Sequence, residues 1–157
     1  MESRTRPFRI RAWRPSDRLH QDTFLQHLAR EDIRMRFGMT HLFVEDLFPN
    51  LALARQGATF AAWDGSDAIL GVATLALVDD ASAELAVIVH SDRKRRGLGR
   101  ALIVHALRDA ALRGLAQIVG YVLAENTPML TLARAMDFRC VHRCASVVEV
   151  SRPVGLA

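Results

Sequence analysis

Cysteine is nearly absent. The 157-residue chain has two, Cys140 and Cys144, too few for a disulfide framework and without the further ligands a metal site needs. Both are expected to be reduced structural thiols, and the six histidines, His20 and His27 included, to be ordinary surface or rim residues, so no metal is expected. Long apolar runs are missing too: the longest, Ile69 to Val78, falls well short of the ~20 residues a membrane helix requires. The basic start, Met1 to Trp13, has no apolar stretch of the secretory kind. The expectation is a soluble, cytoplasmic protein that does not enter a membrane. Aromatic residues are only 6% of the chain; none interleaves with the basic run, as stacking on nucleic acid demands.

What is present is an ordinary globular balance, half hydrophobic and about a quarter charged. The length suits one domain, expected over 1–157. Net charge is +4 and the pI about 10, which favours an anionic ligand or partner. Much of that charge is gathered in Arg93, Lys94, Arg95, Arg96 and Arg100.

Alternation in Phe8–Trp13 predicts a half-exposed strand. Ser16 or Asp17 then offers a helix cap, and Leu19, Phe24, Leu25 and Leu28 an apolar stripe. Further helices are predicted over Glu31–Phe37 and, capped by Thr40, to Leu53. Ala58–Trp63 and Ala68–Val78 flank the turn Asp64-Gly65-Ser66-Asp67 as an antiparallel hairpin. Ala83–His90 follows as a fourth strand. A long helix, Gly97 to Leu115, places Gly99, Ile103, Ala106, Leu107, Ala110, Ala111 and Gly114 at helical spacing, Gly114 suiting its stop. Gln117–Leu123, a helix from Thr127-Pro128 to Met136, and strands Phe138–His142 and Ser146–Val150 complete the order. The class is α+β: a mixed, mostly antiparallel sheet of about six or seven strands, with a strand–helix–strand crossover making one pair parallel.

Gly97-x-Gly99 stands between a strand and a helix start. Such a start carries unpaired N–H groups and partial positive charge, and glycine lets a ligand approach the backbone closely. With the basic cluster around it, Lys94-Arg95-Arg96-Gly97-Leu98-Gly99-Arg100 suits a polyanion such as a pyrophosphate. It is not a P-loop, because Gly-x-x-x-x-Gly-Lys-Ser/Thr is missing. The dinucleotide fingerprint fails as well, since Leu102 stands where a third glycine belongs. The other reading of these residues is a solvated basic face.

These residues resemble a known family. Lys94-x-x-Gly97-x-Gly99 is similar to the Gln/Arg-x-x-Gly-x-Gly/Ala pyrophosphate turn of the GNAT N-acetyltransferases. Ala83–Val89, Arg96–Leu102 and Gly120–Leu130 further resemble the acetyltransferase domain of the Pat-type protein lysine acetyltransferases, as does the stretch Glu31–Phe37. The resemblance implies helices on both faces of the sheet and a cofactor cleft where the fourth and fifth strands splay. It implies acetyl-CoA as co-substrate, bound by the turn, by the backbone of Val87, Ile88 and Val89, and by Asn126 and Met129. Asn126 has a second local explanation, capping the helix that follows. The resemblance also implies an amine acceptor, with a lysine on an acyl-CoA synthetase as the group's case, and a homodimer.

Three departures stand out: Lys94 for Gln or Arg, Asp137 for the usual Gly before Phe138, and Ala133 where many members carry the Tyr that protonates the leaving thiolate. Tyr121, in the fifth strand, receives no catalytic role. Glu84 lies in an otherwise apolar strand, a setting that makes a carboxylate a better proton acceptor. It is either a salt-bridged strand carboxylate or a general base, and the Pat-type resemblance implies the base. Direct transfer follows: Glu84 removes the amine proton while a backbone N–H near Val87 steadies the oxyanion. A small-amine acetyltransferase, a non-catalytic CoA-sensing domain of this fold, and nucleic-acid binding through Arg93–Arg96 are the alternatives.

Overall fold

The computed structural model describes residues 8–37, 57–93 and 97–155; the helix expected from Thr40 to Leu53 lies outside them. Seven strands form one sheet: β1 (Arg9–Ala12), β2 (Gly57–Trp63), β3 (Ile69–Leu77), β4 (Ser82–Val89), β5 (Gln117–Leu123), β6 (Arg139–His142) and β7 (Val147–Pro153). The order across the sheet is β1-β2-β3-β4-β5-β7-β6. Every neighbouring pair is antiparallel except β4 and β5, which the crossover makes parallel. Among the described residues four α-helices accompany it: α1 (Arg18–Gln26), α2 (Arg30–Phe37), α3 (Leu98–Leu112) and α4 (Thr127–Ala135).

Alternation along the strands divides the core between two faces. On one, Leu98 and Leu102 of α3 pack on Leu70 and Ala73, and Ile103, Ala106 and Ala110 of α3 with Leu130 and Ala133 of α4 pack on Leu75, Ala83, Ile118, Val148 and Val150. On the other, Phe24 and Leu28 meet Trp63, Val72 and Ile88, with Ile33 of α2 beside them. The expected stripe of the long helix holds at Ile103, Ala106 and Ala110 and differs at its edges: Ala111 and Gly114 are exposed, and Leu98 and Leu102 are buried. Packing against β3 decides this, since a Cβ on Gly71 would stand 3.0 Å from Leu102 Cδ1. Leu19, expected in the α1 stripe, is also exposed, and Gln21 is buried beside the expected Phe24.

Both long connections end as their sequences require. Gly114 adopts φ +76° after α3, and Leu115 N–H reaches Ala110 O at 3.0 Å, the left-handed stop that favours glycine. Asp137 does the same after α4, with φ +66° and Phe138 N–H on Ala133 O at 2.9 Å. The left-handed angle explains why glycine is the usual residue there, and aspartate is among the few others that tolerate it.

Of the two cap candidates, Ser16 and Asp17, Asp17 takes the N-cap position of α1, but its side chain makes no cap bond. Its carboxylate accepts two bonds from Arg11, Nη1 at 2.7 Å and Nη2 at 2.8 Å, and one from Arg14 N–H at 2.7 Å. The Arg11 guanidinium in turn lies 4.4 Å from the Trp63 ring centre, tying β1 to the α1 layer. The Arg11 bonds, opposed by burial and aided by Arg14 N–H, hold the Asp17 carboxyl below its ordinary range. A depressed carboxyl stabilises the fold above its unfolded value and loses that contribution as pH falls through the folded one. Asp17→Asn should therefore cost about 1–3 kcal/mol at neutral pH. Urea melts at several pH values should show the wild-type advantage shrinking below about pH 4.

Candidate functional site

The site begins where the sheet comes apart. β4 and β5 pair at Ser82–Gln117, Ala83–Ile118 and Glu84–Val119, and no further. Beyond Glu84 the two strands diverge. The cleft between them has a volume of about 690 Å³, within the usual range for a small-molecule site. Gly120 sits at the crotch: a Cβ there would meet Leu85 O at 3.2 Å and Val150 Cγ2 at 3.1 Å. A mid-strand glycine often marks such a close backbone approach.

Above the fork, β4 keeps one edge open. Leu85 O points toward β5, whereas His90 donates its N–H to Leu70 O of β3 at 2.7 Å. Successive residues of a strand turn their peptide groups to alternate edges. Val87 and Val89 thus present N–H and C=O to the cleft, Leu85 presents its C=O while its N–H belongs to the last rung with Val119, and Glu84, Ala86 and Ile88 turn their peptide groups to β3. Ile88 contributes only a stretch of wall, its side chain being buried against the α1 layer.

Glu84 is half-buried at the last paired position and lines the cleft. Alternation puts its side chain on the face opposite Leu85 and Val87, the side that carries α2. Asp32 and Met35 of α2 and Tyr121 of β5 line the same cavity. None of these three was singled out as a site residue. Tyr121 is half-exposed there, and only its place on the fifth strand was legible.

The other wall is built by α3 and α4. Gly97 precedes α3 with φ +79°, and nothing lies within 4 Å of where its Cβ would be. Glycine is required here for its angle, not for room. The N–H groups of Leu98, Gly99 and Arg100 precede the first intrahelical bond, Ala101 N–H to Gly97 O at 3.0 Å. A Cβ on Gly99 would approach Leu132 Cδ2 of α4 at 3.3 Å, so this glycine lets the two helices close the end of the cleft. Lys94, Arg95 and Arg96 lie outside the described residues. Asn126 Oδ1 accepts Met129 N–H at 3.3 Å as the cap of α4, and both residues also line the cleft. Ala133, where a tyrosine is common, is a buried methyl on that wall.

A forked mixed sheet with a helix start at its open end can hold a long, thin ligand that is apolar along its length and anionic at one tip. Comparison with known proteins agrees with that geometry. Residues 18–138 match the model of the Acetyltransferase (GNAT) family. The chain belongs to this family. Within it, this GNAT acetyltransferase is 35% identical over 76 residues to a mycothiol acetyltransferase of Saccharopolyspora erythraea, covering 48% of the chain and 25% of that protein. It is 46% identical over 63 residues to the mycothiol acetyltransferase of Clavibacter sepedonicus, 40% of the chain and 21% of the relative. The matches thus span no more than about a quarter of these relatives' length. Its fold is similar to the GNAT domain of S. lividans PAT, with TM-score 0.83 and 19% identity over 93% of the chain and 90% of that domain. The spermidine N-acetyltransferase from Vibrio cholerae, solved with CoA and spermine, gives TM-score 0.77 and 18% identity, covering 93% and 95%.

Among the described residues, no group of three or more His, Cys, Asp or Glu side chains is arranged to hold a metal ion, and no helix is long and apolar enough to cross a membrane. The histidines are not all at the rim. His90 is buried, its Nδ1 accepting Asp92 N–H at 3.2 Å, with the His27 ring centred 4.6 Å away. It follows directly on β4, where its N–H bonds Leu70 O of β3. Cys140 and Cys144 are free.

Proposed function

We propose that this chain transfers the acetyl group of acetyl-CoA directly to a primary amine, with a protein lysine as the acceptor and Glu84 as the general base. The observation that carries this reading is the fork itself. It sets a carboxylate at its vertex, an open backbone edge above it and a helix start at its far end.

The residues fit acetyl-CoA by chemistry. The C=O of Val87 and the peptide group of Val89 suit the amides of the pantetheine arm, and the apolar walls suit its chain. The helix start at Gly97–Arg100, together with Lys94, Arg95 and Arg96, suits the pyrophosphate. Asn126 and Met129 border the arm from α4.

An alkylammonium has a pKa near ~10.4, so the acceptor arrives protonated and must lose a proton to attack. Glu84 takes that proton, directly or through a water. The amine nitrogen then bonds to the acetyl carbon while the Val87 N–H donates to the carbonyl oxygen, which gains charge. As the carbonyl re-forms, the carbon–sulfur bond breaks and its electron pair leaves on sulfur, while the nitrogen, now bonded to carbon, gives up its second proton to water. With Ala133 on the wall, no hydroxyl from α4 meets the thiolate there, and water supplies its proton. A thiol pKa near ~8.5 makes such an acid useful but dispensable.

The test is an acetyl-CoA-dependent screen of lysine-bearing proteins, polyamines and small amines, read by release of free thiol. Turnover is expected with at least one lysine-bearing protein. Turnover with small amines alone would sink the lysine acceptor and keep the transferase. Thermal stabilisation by acetyl-CoA without thiol release toward any amine would make this a CoA-binding domain rather than an enzyme.

A further inference from the structure

Helix α2 crosses the open side of the fork and is fastened to both prongs. On the β4 side, Ser91 Oγ accepts Ala29 N–H at 2.8 Å and donates to Asp32 Oδ2 at 2.5 Å. On the β5 side, Arg34 pairs through Nη1 with Glu125, two residues beyond the end of β5. The same guanidinium binds Glu31 within α2, Nε at 3.2 Å and Nη2 at 2.6 Å. It is therefore held from its own helix while it reaches across.

What the pair joins bears on the chemistry. Glu125 directly precedes Asn126, whose side chain caps α4 and lines the cleft. Arg34 lies between Asp32 and Met35, which line the cavity on the side of Glu84. A shift of α2 relative to residue 125 would change the gap between the helix and β5, not the open edge of β4 or the start of α3.

We propose that Arg34 is a positioning residue for the acceptor: its pair with Glu125 holds α2 across the fork and so sets the passage by which the amine reaches Glu84. The proposal rests on reading the cleft as an acetyl-transfer site. The pair is partly exposed, with side-chain accessibilities of 30% for Arg34 and 56% for Glu125. Salt screens such pairs and their contribution to overall stability is small. A link of this kind moves a local gap more readily than it moves a melting temperature.

The test is a double-mutant cycle with Arg34→Ala, Glu125→Ala and the double variant, plus Arg34→Lys as the conservative replacement. Hydrogen exchange followed by mass spectrometry over residues 30–37 and 124–130 requires no turnover. It should quicken in both single variants, no further in the double, and recover in part in Arg34→Lys. With an accepted amine, the acceptor KM should rise about 5-fold in each single variant and no more in the double. The acetyl-CoA KM should stay within about 2-fold, and 0.5 M salt should bring wild type toward the single variants. Unchanged exchange in the single variants overturns the proposal, as do additive effects in the double or an equal loss of acetyl-CoA affinity. If wild type turns over no amine at all, the transferase reading fails instead, and the exchange data alone judge the link.

Discussion

Glu84→Gln is expected to lower kcat by about 10²- to 10⁴-fold, the usual contribution of a positioned base, while acetyl-CoA affinity stays within about 2-fold. The two outcomes separate because the residue faces two ways. Its peptide group belongs to the β3 ladder, opposite Ala76, and takes no part in the open edge formed by Leu85, Val87 and Val89. Its side chain lies on the opposite face of β4 from Leu85 and Val87. Glutamine keeps the volume and most hydrogen bonding of glutamate but cannot accept a proton at neutral pH. Thiol release at saturating amine measures the first quantity, and calorimetric titration with acetyl-CoA the second. The pH profile adds a sign. As pH rises toward the amine's own pKa of ~10.4, solution supplies the free base and the variant should regain rate relative to wild type. Full turnover by Glu84→Gln at neutral pH would remove Glu84 from the mechanism.

Gly97→Val should do the reverse, weakening acetyl-CoA binding about 10- to 100-fold with little change in kcat at saturation. Gly97 has φ +79°, a region that disfavours any Cβ and β-branched residues most. Holding valine there costs on the order of 1–3 kcal/mol, which matches that range of affinity. The alternative is for the first turn of α3 to unwind, moving the N–H groups of Leu98, Gly99 and Arg100 away from the cleft. Space is not the issue, because nothing lies within 4 Å of the added Cβ. Gly97→Asn is therefore the informative control: asparagine tolerates the left-handed angle and should keep most of the affinity. Equal losses for Val and Asn would show that backbone conformation is not what matters at this turn.

Much of this was legible because local chemistry sufficed. The hairpin turn could be read from Asp64-Gly65-Ser66-Asp67, and in the structure Asp64 Oδ1 accepts the N–H groups of Ser66 and Ala68 at 2.8 and 3.0 Å. The crossover and its parallel pair follow from a strand, a helix and a strand in that order. Glu84 stood out because its neighbours are apolar, and the turn at Gly97 because glycines and arginines coincide.

What escaped is non-local. The edge of the α3 stripe depends on the room left by Gly71 in another strand, which lets Leu102 turn inward and leaves Ala111 exposed. Asp17 has the composition of a helix cap, but Arg11 on the neighbouring strand claims its carboxylate. The link between Arg34 and Glu125 joins residues 91 apart, and no periodicity marks such a pair. The splay of β4 from β5 was implied by the family resemblance alone; among the residues themselves Gly120 is its one trace.

The divergence of β4 from β5 has a further consequence, for colloidal behaviour. Leu85-Ala86-Val87-Ile88-Val89 is uncharged, free of proline and rich in β-formers, the kind of segment that seeds intermolecular sheets. Half of its peptide groups lack a strand partner in the folded chain. An exposed row of that sort would invite a second molecule to pair with it. Here the row lies in the middle of the sheet, between β5 and the start of α3, where no foreign strand can lie alongside it. Glu84 before the segment, and Asp92 with Arg93, Lys94, Arg95 and Arg96 after it, act as charged gatekeepers while the chain is still folding.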